Sequence, residues 1–431
     1  MRVLIVGLGG AGCRILEHLY AHDSRGGTRC IAGVAVDRSA DALNSLKLIP
    51  PGQRIFSQPF DPGRSDDLLA HIPVEEIIAR LQALDDGDID AVLITAGLGG
   101  TMADTAPEIV ASIRNAMVEP VFGLLTLPCR SEGPARSVRA AGQLDHLIPL
   151  LDGIVLYDNE TWRDKVVGLA FPTLSSPTRK NLESILSRTR AGLSPDMQMK
   201  LSFKLNEVIA STLSLVFRAG EFAEKGTDTY PEVVLDAGEI LNTIQGMGFI
   251  TIGYARELVE DPPRDLLSRF RPGTLPVEES HKKASRVVRL AKSAISEEIS
   301  TPGNLEDAKK ALILIAGPSR EMSMRGYMTV RKWIDRSIRG PEVRAGDFPD
   351  TDTRYLAVLV ILAGMETLPR VEELRILRKQ AQESPGKEMM AGNEGSVPAN
   401  RADPVIGGER TVIPGQPSIS GIHRPGSESD L

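Results

Sequence analysis

The amino-acid sequence predicts an α/β fold with a mostly parallel sheet, and three observations carry the prediction. Apolar runs of strand length alternate with stretches of helical periodicity through the first half of the chain. Two of those runs lead straight into glycine-rich turns that open helices. Strand-like runs then return beyond residue 285 around an amphipathic helix, which reads as a second, α+β region.

Taken in order, Val3 to Val6 reads as a first buried strand, with a helix following to Tyr20. Ile31 to Val36 forms a second strand ending at Asp37, and Ala91 to Thr95 another, with a helix from about Ala106 that Thr105 would cap. Val121 to Leu127 and Ile154 to Tyr157 continue the series. Pro172, Ser175, Ser176 and Pro177 break any pattern between 163 and 200. Apolar residues on several faces predict a buried helix over Leu201 to Ala223. Further on come the runs Ala311 to Ala316 and Tyr355 to Ala363, with an amphipathic helix over Ser323 to Ile338 between them. Domain boundaries are expected at 1–200, 201–226 for the central helix, 227–381, and 382–431. The last span is rich in Pro, Gly and Ser and is expected to be a disordered tail, with the apolar island Arg410 to Pro414 as a docking peptide for a partner.

Composition narrows the class. The chain has 431 residues, 42% hydrophobic and 25% charged, enough for real cores. A net charge of −7 argues against nucleic acid as a partner, since a phosphate backbone rewards a basic face. The three cysteines, Cys13, Cys30 and Cys129, form no C-x-x-C pair, so no disulfide framework or zinc knuckle is suggested. His18 and His22 share helical i, i+4 spacing without a Glu or Cys companion, and no metal site is assigned. No signal-peptide pattern or membrane-length apolar stretch is seen, so a cytoplasmic location without membrane insertion is expected. The stripe Arg325, Arg331, Lys332, Arg336 and Arg339 reads as a solvated face beside an acidic neighbour.

The first turn reads Gly7-Leu-Gly9-Gly10-Ala11-Gly12 after a strand. Glycines there admit an anion close to the backbone, and the helix N-terminus supplies free N–H groups. With Asp37 it matches a dinucleotide-binding fingerprint, so an NAD-dependent enzyme is one reading, and a ligand-free turn another. The second turn, Ala96-Gly97-Leu-Gly99-Gly100-Thr101-Met102-Ala-Asp104, exceeds what a single dinucleotide half-site needs. Leu127-Pro128, Glu132-Gly133, Arg136 and Asp158-Asn159 follow.

This order resembles the nucleotide-binding domain of the tubulin/FtsZ superfamily, whose second loop reads G-G-G-T-G-[ST]-G. Asn206-Glu-Val-Ile resembles the guanine-contacting segment of that family, and Val233 to Ile244 the loop that completes a neighbouring subunit's GTPase site. Gly317-Pro318, Arg325-Gly326, Arg331-Lys-Trp333, Val343 to Pro349 and Leu368-Pro-Arg370-Val-Glu-Glu-Leu374 look like the second domain of CetZ, the archaeal tubulin-like branch, to which Asp158 to Arg163 also points. The resemblance covers about residues 1 to 380. It implies a Rossmann-like GTP-binding domain, a central helix and an α+β C-terminal domain. Gly9, Gly10, Ala11, Gly12, Cys13 and Arg14 would line the phosphates from one loop, and Gly97, Gly99, Gly100, Thr101 and Met102 from the other. Glu132 and Arg136 would meet the ribose, and Asn159 and Asn206 the guanine edge. Asp236 and Glu239 would act in trans on the GTP of the next subunit, with Mg²⁺, in head-to-tail filaments of this chain or of homologous subunits that serve cell shape or division.

Three departures stand against that pattern. Met102 and Asp104 replace glycines, and Asp104 would bring negative charge near phosphate unless it turns away or helps hold Mg²⁺. The Gly-rich γ-phosphate loop is missing, and Ser57 to Asp67, with the single Gly63, stands in its stretch. Val234 replaces the usual asparagine beside Asp236. They motivate a second reading, a nucleotide-weak relative that copolymerises with or regulates an active one.

Overall fold

The computed structural model describes residues 1–25, 28–58, 72–170, 195–219, 231–259, 276–350 and 353–383. The tail and its island at 410–414 lie outside the described residues, as does most of the 57–67 segment. The described strands are β1 (Val3–Leu8), β2 (Ile31–Asp37), β3 (Arg54–Phe56), β4 (Ala91–Gly97), β5 (Val121–Leu127), β6 (Gly153–Asp158), β7 (Phe249–Leu258), β8 (Lys310–Gly317), β9 (Glu342–Pro349) and β10 (Tyr355–Met365). They form one sheet in the order β3-β2-β1-β4-β5-β6-β7-β10-β8-β9.

From β3 to β6 all pairs are parallel, and their order 3-2-1-4-5-6 is that of a doubly wound nucleotide-binding sheet. The order reverses between β1 and β4. Both glycine turns leave the carboxyl ends of these two strands, where such sheets open a crevice. The second half joins through a short parallel contact of β6 with β7, Ile154 opposite Phe249 and Val155 opposite Ile250. From there β7 runs antiparallel to β10, β10 antiparallel to β8, and β8 parallel to β9.

The helices are α1 (Gly9–Asp23), α2 (Ala40–Asn44), α3 (Val74–Leu84), α4 (Ala106–Ala116), α5 (Pro134–Leu147), α6 (Asn159–Ala170), α7 (Pro195–Arg218), α8 (Ala237–Ile244), α9 (Pro276–Ser296), α10 (Met324–Ser337) and α11 (Pro369–Glu383). Strand alternation splits the core between two faces. Leu4, Val6 and Leu8 pack with residues of α3, α4 and α5, whereas Val3 and Ile5 pack with α1 and α7. Each such fully buried aliphatic side chain contributes roughly 1.5–3 kcal/mol.

The central helix α7 opens at Pro195, ahead of the Leu201 that apolar spacing marks, because proline suits the first helical turn whatever the polarity of its neighbours. It packs on α1 and α6. There Arg218 bonds the Asp23 carbonyl at 2.9 Å, and His18 meets the Phe203 ring edge-on at 4.5 Å. His18 and His22 are thus partly buried packing residues, and burial lowers both pKa values. On α10, Tyr327, Val330 and Ile334 face the core, and the five basic residues of the stripe, Arg339 just past the helix end among them, are exposed. Arg325 meets His281 at 3.1 Å, and Arg339 pairs with Glu366 at 3.1 Å.

Candidate nucleotide-binding site

The turn between β1 and α1 is shaped by glycines with distinct tasks. Gly9 has φ +68, in the left-handed region where other residues are strained. At Gly12 a β-carbon would lie 2.1 Å from the Thr95 carbonyl oxygen, so only glycine lets α1 settle onto β4. Thr95 secures the contact by donating its hydroxyl to the Gly12 carbonyl at 3.2 Å. Gly10 differs, since a β-carbon there would meet nothing within 4 Å. No side chain caps α1 and no acidic residue occupies its first turn, leaving the positive end of the helix open to an anion.

Ala11 touches the second turn, 3.0 Å from where a β-carbon on Gly97 would sit. Arg14 is exposed. Cys13 does not face the phosphate side. Its side chain is buried against β1 and β2, where the thiol donates to the Gly7 carbonyl at 3.3 Å and to the Val36 carbonyl at 3.5 Å. Burial, helped by the Asp37 charge, pushes that thiol well above its ordinary pKa.

The second turn leaves β4 through Gly97 and Gly99, the latter with φ +84. Asp104 turns away from it. Its carboxylate pairs with Arg139 at 2.8 Å and accepts from the Gln143 amide at 2.6 Å, so its charge is balanced by α5 and it is not a free ligand for Mg²⁺. Gln143, which sequence reasoning missed, shapes the whole turn. Its oxygen accepts the Gly99 N–H at 2.7 Å and its amide donates to the Gly100 carbonyl at 2.8 Å. The Gly99 N–H is therefore committed within the protein, contrary to the phosphate role assigned to it. Thr101 and Met102 begin a short 3-10 turn whose first N–H groups have no partner within it. The Met102 side chain is buried beneath Gly9, so only its backbone could face a ligand. Thr105 does not cap α4; its hydroxyl donates back to the Met102 carbonyl at 2.7 Å. The signal for Gln143 was its i, i+4 spacing from Arg139 on α5. Replacing Gln143 with Leu should strand the buried Gly99 N–H, costing about 1–3 kcal/mol, and a thermal melt would show it.

At the end of β5, Glu132 accepts the Cys129 N–H at 2.8 Å and pairs with Arg136 at 2.5 Å. Both side chains are exposed on the rim, where they brace the start of α5. At the end of β6, buried Asp158 accepts the Thr161 hydroxyl at 2.6 Å and holds the first turn of α6. Asn159, the first residue of that helix, keeps its Oδ1 buried without a hydrogen-bond partner. Asn206 is buried on α7, which packs against α6.

Asp236 and Glu239 are not brought to the glycine turns. Asp236 caps α8 by accepting the Glu239 N–H at 2.7 Å, and Glu239 pairs with Arg344 on β9 at 3.2 Å. Helix α8 packs on β8 and β10. In the sheet order β8 lies five inter-strand spacings from β4, about 24 Å. Asp37 does not await a ribose either: its carboxylate accepts the Ser39 N–H at 2.9 Å, closing its own turn. Among the described residues no group of three or more His, Cys, Asp or Glu could hold a metal ion, and no helix is long and apolar enough to cross a membrane.

A doubly wound sheet with two glycine turns at its switch point, a long central helix and an antiparallel extension define the tubulin/FtsZ class of fold. Residues 197–383 match the C-terminal domain of tubulin-like CetZ. The tubulin-like protein CetZ3 of Haloferax volcanii is 30% identical over 424 residues, spanning 96% of this chain and all of the relative. The chain belongs to the tubulin-like CetZ family. Among solved structures, the GDP-bound monomer of Haloferax volcanii CetZ1 aligns with a TM-score of 0.68 at 25% identity, covering 89% of this chain and all of that one. A GTPγS-bound protofilament of CetZ2 from the same organism aligns at 0.69 with 23% identity over 89% and 99% of the two chains, a likeness of fold. Family membership along nearly the whole chain removes the NAD-dependent enzyme as a reading.

Proposed function

We propose that the chain is a cytoskeletal protein that binds GTP or GDP in the crevice above β1, β4, β5 and β6 and assembles head-to-tail. The observation that carries the reading is the pairing of an uncapped α1 N-terminus at Gly10 with an orphaned, buried acceptor at Asn159. The first suits a phosphate and the second suits an N–H of a guanine edge. CetZ relatives bound to GDP and GTPγS support the nucleotide, and the CetZ2 protofilament supports assembly. Mg²⁺ would come with the phosphates, held by their oxygens and the Thr101 hydroxyl.

Asp236 and Glu239 complete the hydrolytic site of the next copy by orienting water towards the γ-phosphate. Their remoteness from the turns of their own chain supports action in trans. Cell shape or division is the process served, in the cytoplasm. The commitment of the Gly99 N–H to Gln143 favours a second reading, in which the chain holds nucleotide weakly and copolymerises with an active homologue. Sedimentation of purified protein with analysis of bound nucleotide tests both. Guanine nucleotide in the protein and a pellet dependent on GTP and Mg²⁺ are expected. Pelleting only with a homologue selects the second reading, and a nucleotide-free monomer at high concentration defeats both.

A further inference from the structure

The base-reading end of the crevice is tied to a helix from the far end of the chain. Arg370, in the first turn of α11, is buried and donates from Nη2 to the Pro128 carbonyl at 2.7 Å, just past β5. Its Nε lies 3.4 Å from Asp158 Oδ1 and its Nη1 2.9 Å from Glu373, ion-pair contacts that lack hydrogen-bond alignment. Glu373 receives the fork of Arg130 at 2.8 and 2.7 Å, and the Arg130 N–H donates to Glu160 at 3.0 Å. With the Glu160 N–H donating to Asp158 Oδ1 at 3.2 Å, these contacts close a ring: Arg370, Asp158, Glu160, Arg130, Glu373 and back to Arg370. Asn159 is the residue between Asp158 and Glu160, so both of its neighbours are held by the ring. The bidentate Arg130 fork fixes geometry more tightly than a single exposed ion pair, and the buried Arg370 guanidinium is anchored by its Nη2 bond to Pro128 and attracts Asp158 and Glu373 by charge. The two arginines share Glu373, which they hold at a pKa of about 2. The charge of that ring member is therefore present across the physiological range.

We infer that α11, through Arg370 and Glu373, is a positioning element that aims Asn159 at the guanine edge and makes base discrimination depend on the C-terminal helix. The inference rests on the guanine reading above. Arg370 touches no ligand itself; it acts through Asp158 on the backbone that carries Asn159. Asn159 Oδ1, a buried acceptor, discriminates only if it is aimed at a donor, and guanine offers N1–H and the 2-amino group where adenine offers neither. A ring that sets the direction of α6 therefore sets the selectivity.

The test measures the Kd of GDP and of ADP by competition against a fluorescent GDP analogue, for the full chain and for Arg370→Gln, Arg370→Lys, Glu373→Gln and Asn159→Ala. Glu373 is partly exposed, so Glu373→Gln keeps the test open should Arg370→Gln fail to fold. Asn159→Ala should lower the ADP-to-GDP ratio of Kd by about tenfold, the loss of one good hydrogen bond. Arg370→Gln should compress the ratio comparably and Glu373→Gln by less, while Arg370→Lys recovers part of it. A merely structural role would weaken both nucleotides equally and leave the ratio alone. Folded Arg370→Gln and Glu373→Gln proteins with the wild-type ratio would overturn the inference, provided Asn159→Ala compresses it. If Asn159→Ala also leaves the ratio unchanged, the guanine reading itself falls, and the clamp with it.

Discussion

Asp236→Asn is expected to cut GTP turnover by roughly 10²–10⁴-fold, the usual worth of a positioned acid or base, with nucleotide affinity of the monomer unchanged. Asparagine is the right replacement because Asp236 also caps α8 through the Glu239 N–H. Alanine would remove the cap as well, at about 1 kcal/mol, and confuse chemistry with folding. Mixing separates action in trans from action in cis. A Gly10→Asp chain places a carboxylate at the open α1 N-terminus, where nothing crowds it, and should repel phosphate while folding normally. That chain brings an intact Asp236 to a neighbour, so an equal mixture with Asp236→Asn should recover turnover that neither shows alone. Single-turnover hydrolysis and equilibrium binding on the separate and mixed proteins decide the matter. Loss of nucleotide binding in monomeric Asp236→Asn would place the residue in its own site and end the trans assignment.

The second large effect distinguishes two glycines of one turn. Gly12→Ala puts a β-carbon 2.1 Å from the Thr95 carbonyl oxygen, a clash with fixed backbone that no rotamer relieves, since the β-carbon position does not depend on χ1. A loss of about 3 kcal/mol or more is expected, with α1 pushed off β4 and the melting temperature lowered. Gly10→Ala meets nothing within 4 Å and exchanges a poor helix former for a good one. It should melt no lower than wild type, yet bind nucleotide more weakly, because its methyl group occupies the approach to the α1 N–H groups. Thermal melts alongside nucleotide titrations of the two variants would show stability falling in one and affinity in the other. Equal behaviour of the pair would mean that the turn serves packing alone.

Much of the nucleotide half is legible in the amino-acid sequence. Strands at Val3, Ile31, Ala91, Val121 and Ile154 announce themselves by apolar runs that are buried on both faces, and the glycine turns by the strand and helix around them. Strand β7 is not legible in that way. Its buried Ile250 and Ile252 are interrupted by Thr251 and Gly253, so no continuous apolar run marks it. Strand β9, with Arg344 and Asp347 in its span, shows the same weakness. Both are recognised by their neighbours in the sheet, which lie far along the chain.

The site divides in the same way. Residue type and spacing alone determined that two glycine turns, an Asp-Asn pair and an acidic pair at 236 and 239 exist, because glycine, capping and periodicity act over a few residues. Only the tertiary structure decided where they point. It turned Asp104 onto Arg139, spent the Gly99 N–H on Gln143, buried Cys13 and held Asp158 with an arginine more than two hundred residues away. Hydrogen bonds and ion pairs are set by distance and direction, and these belong to the folded chain rather than to its order.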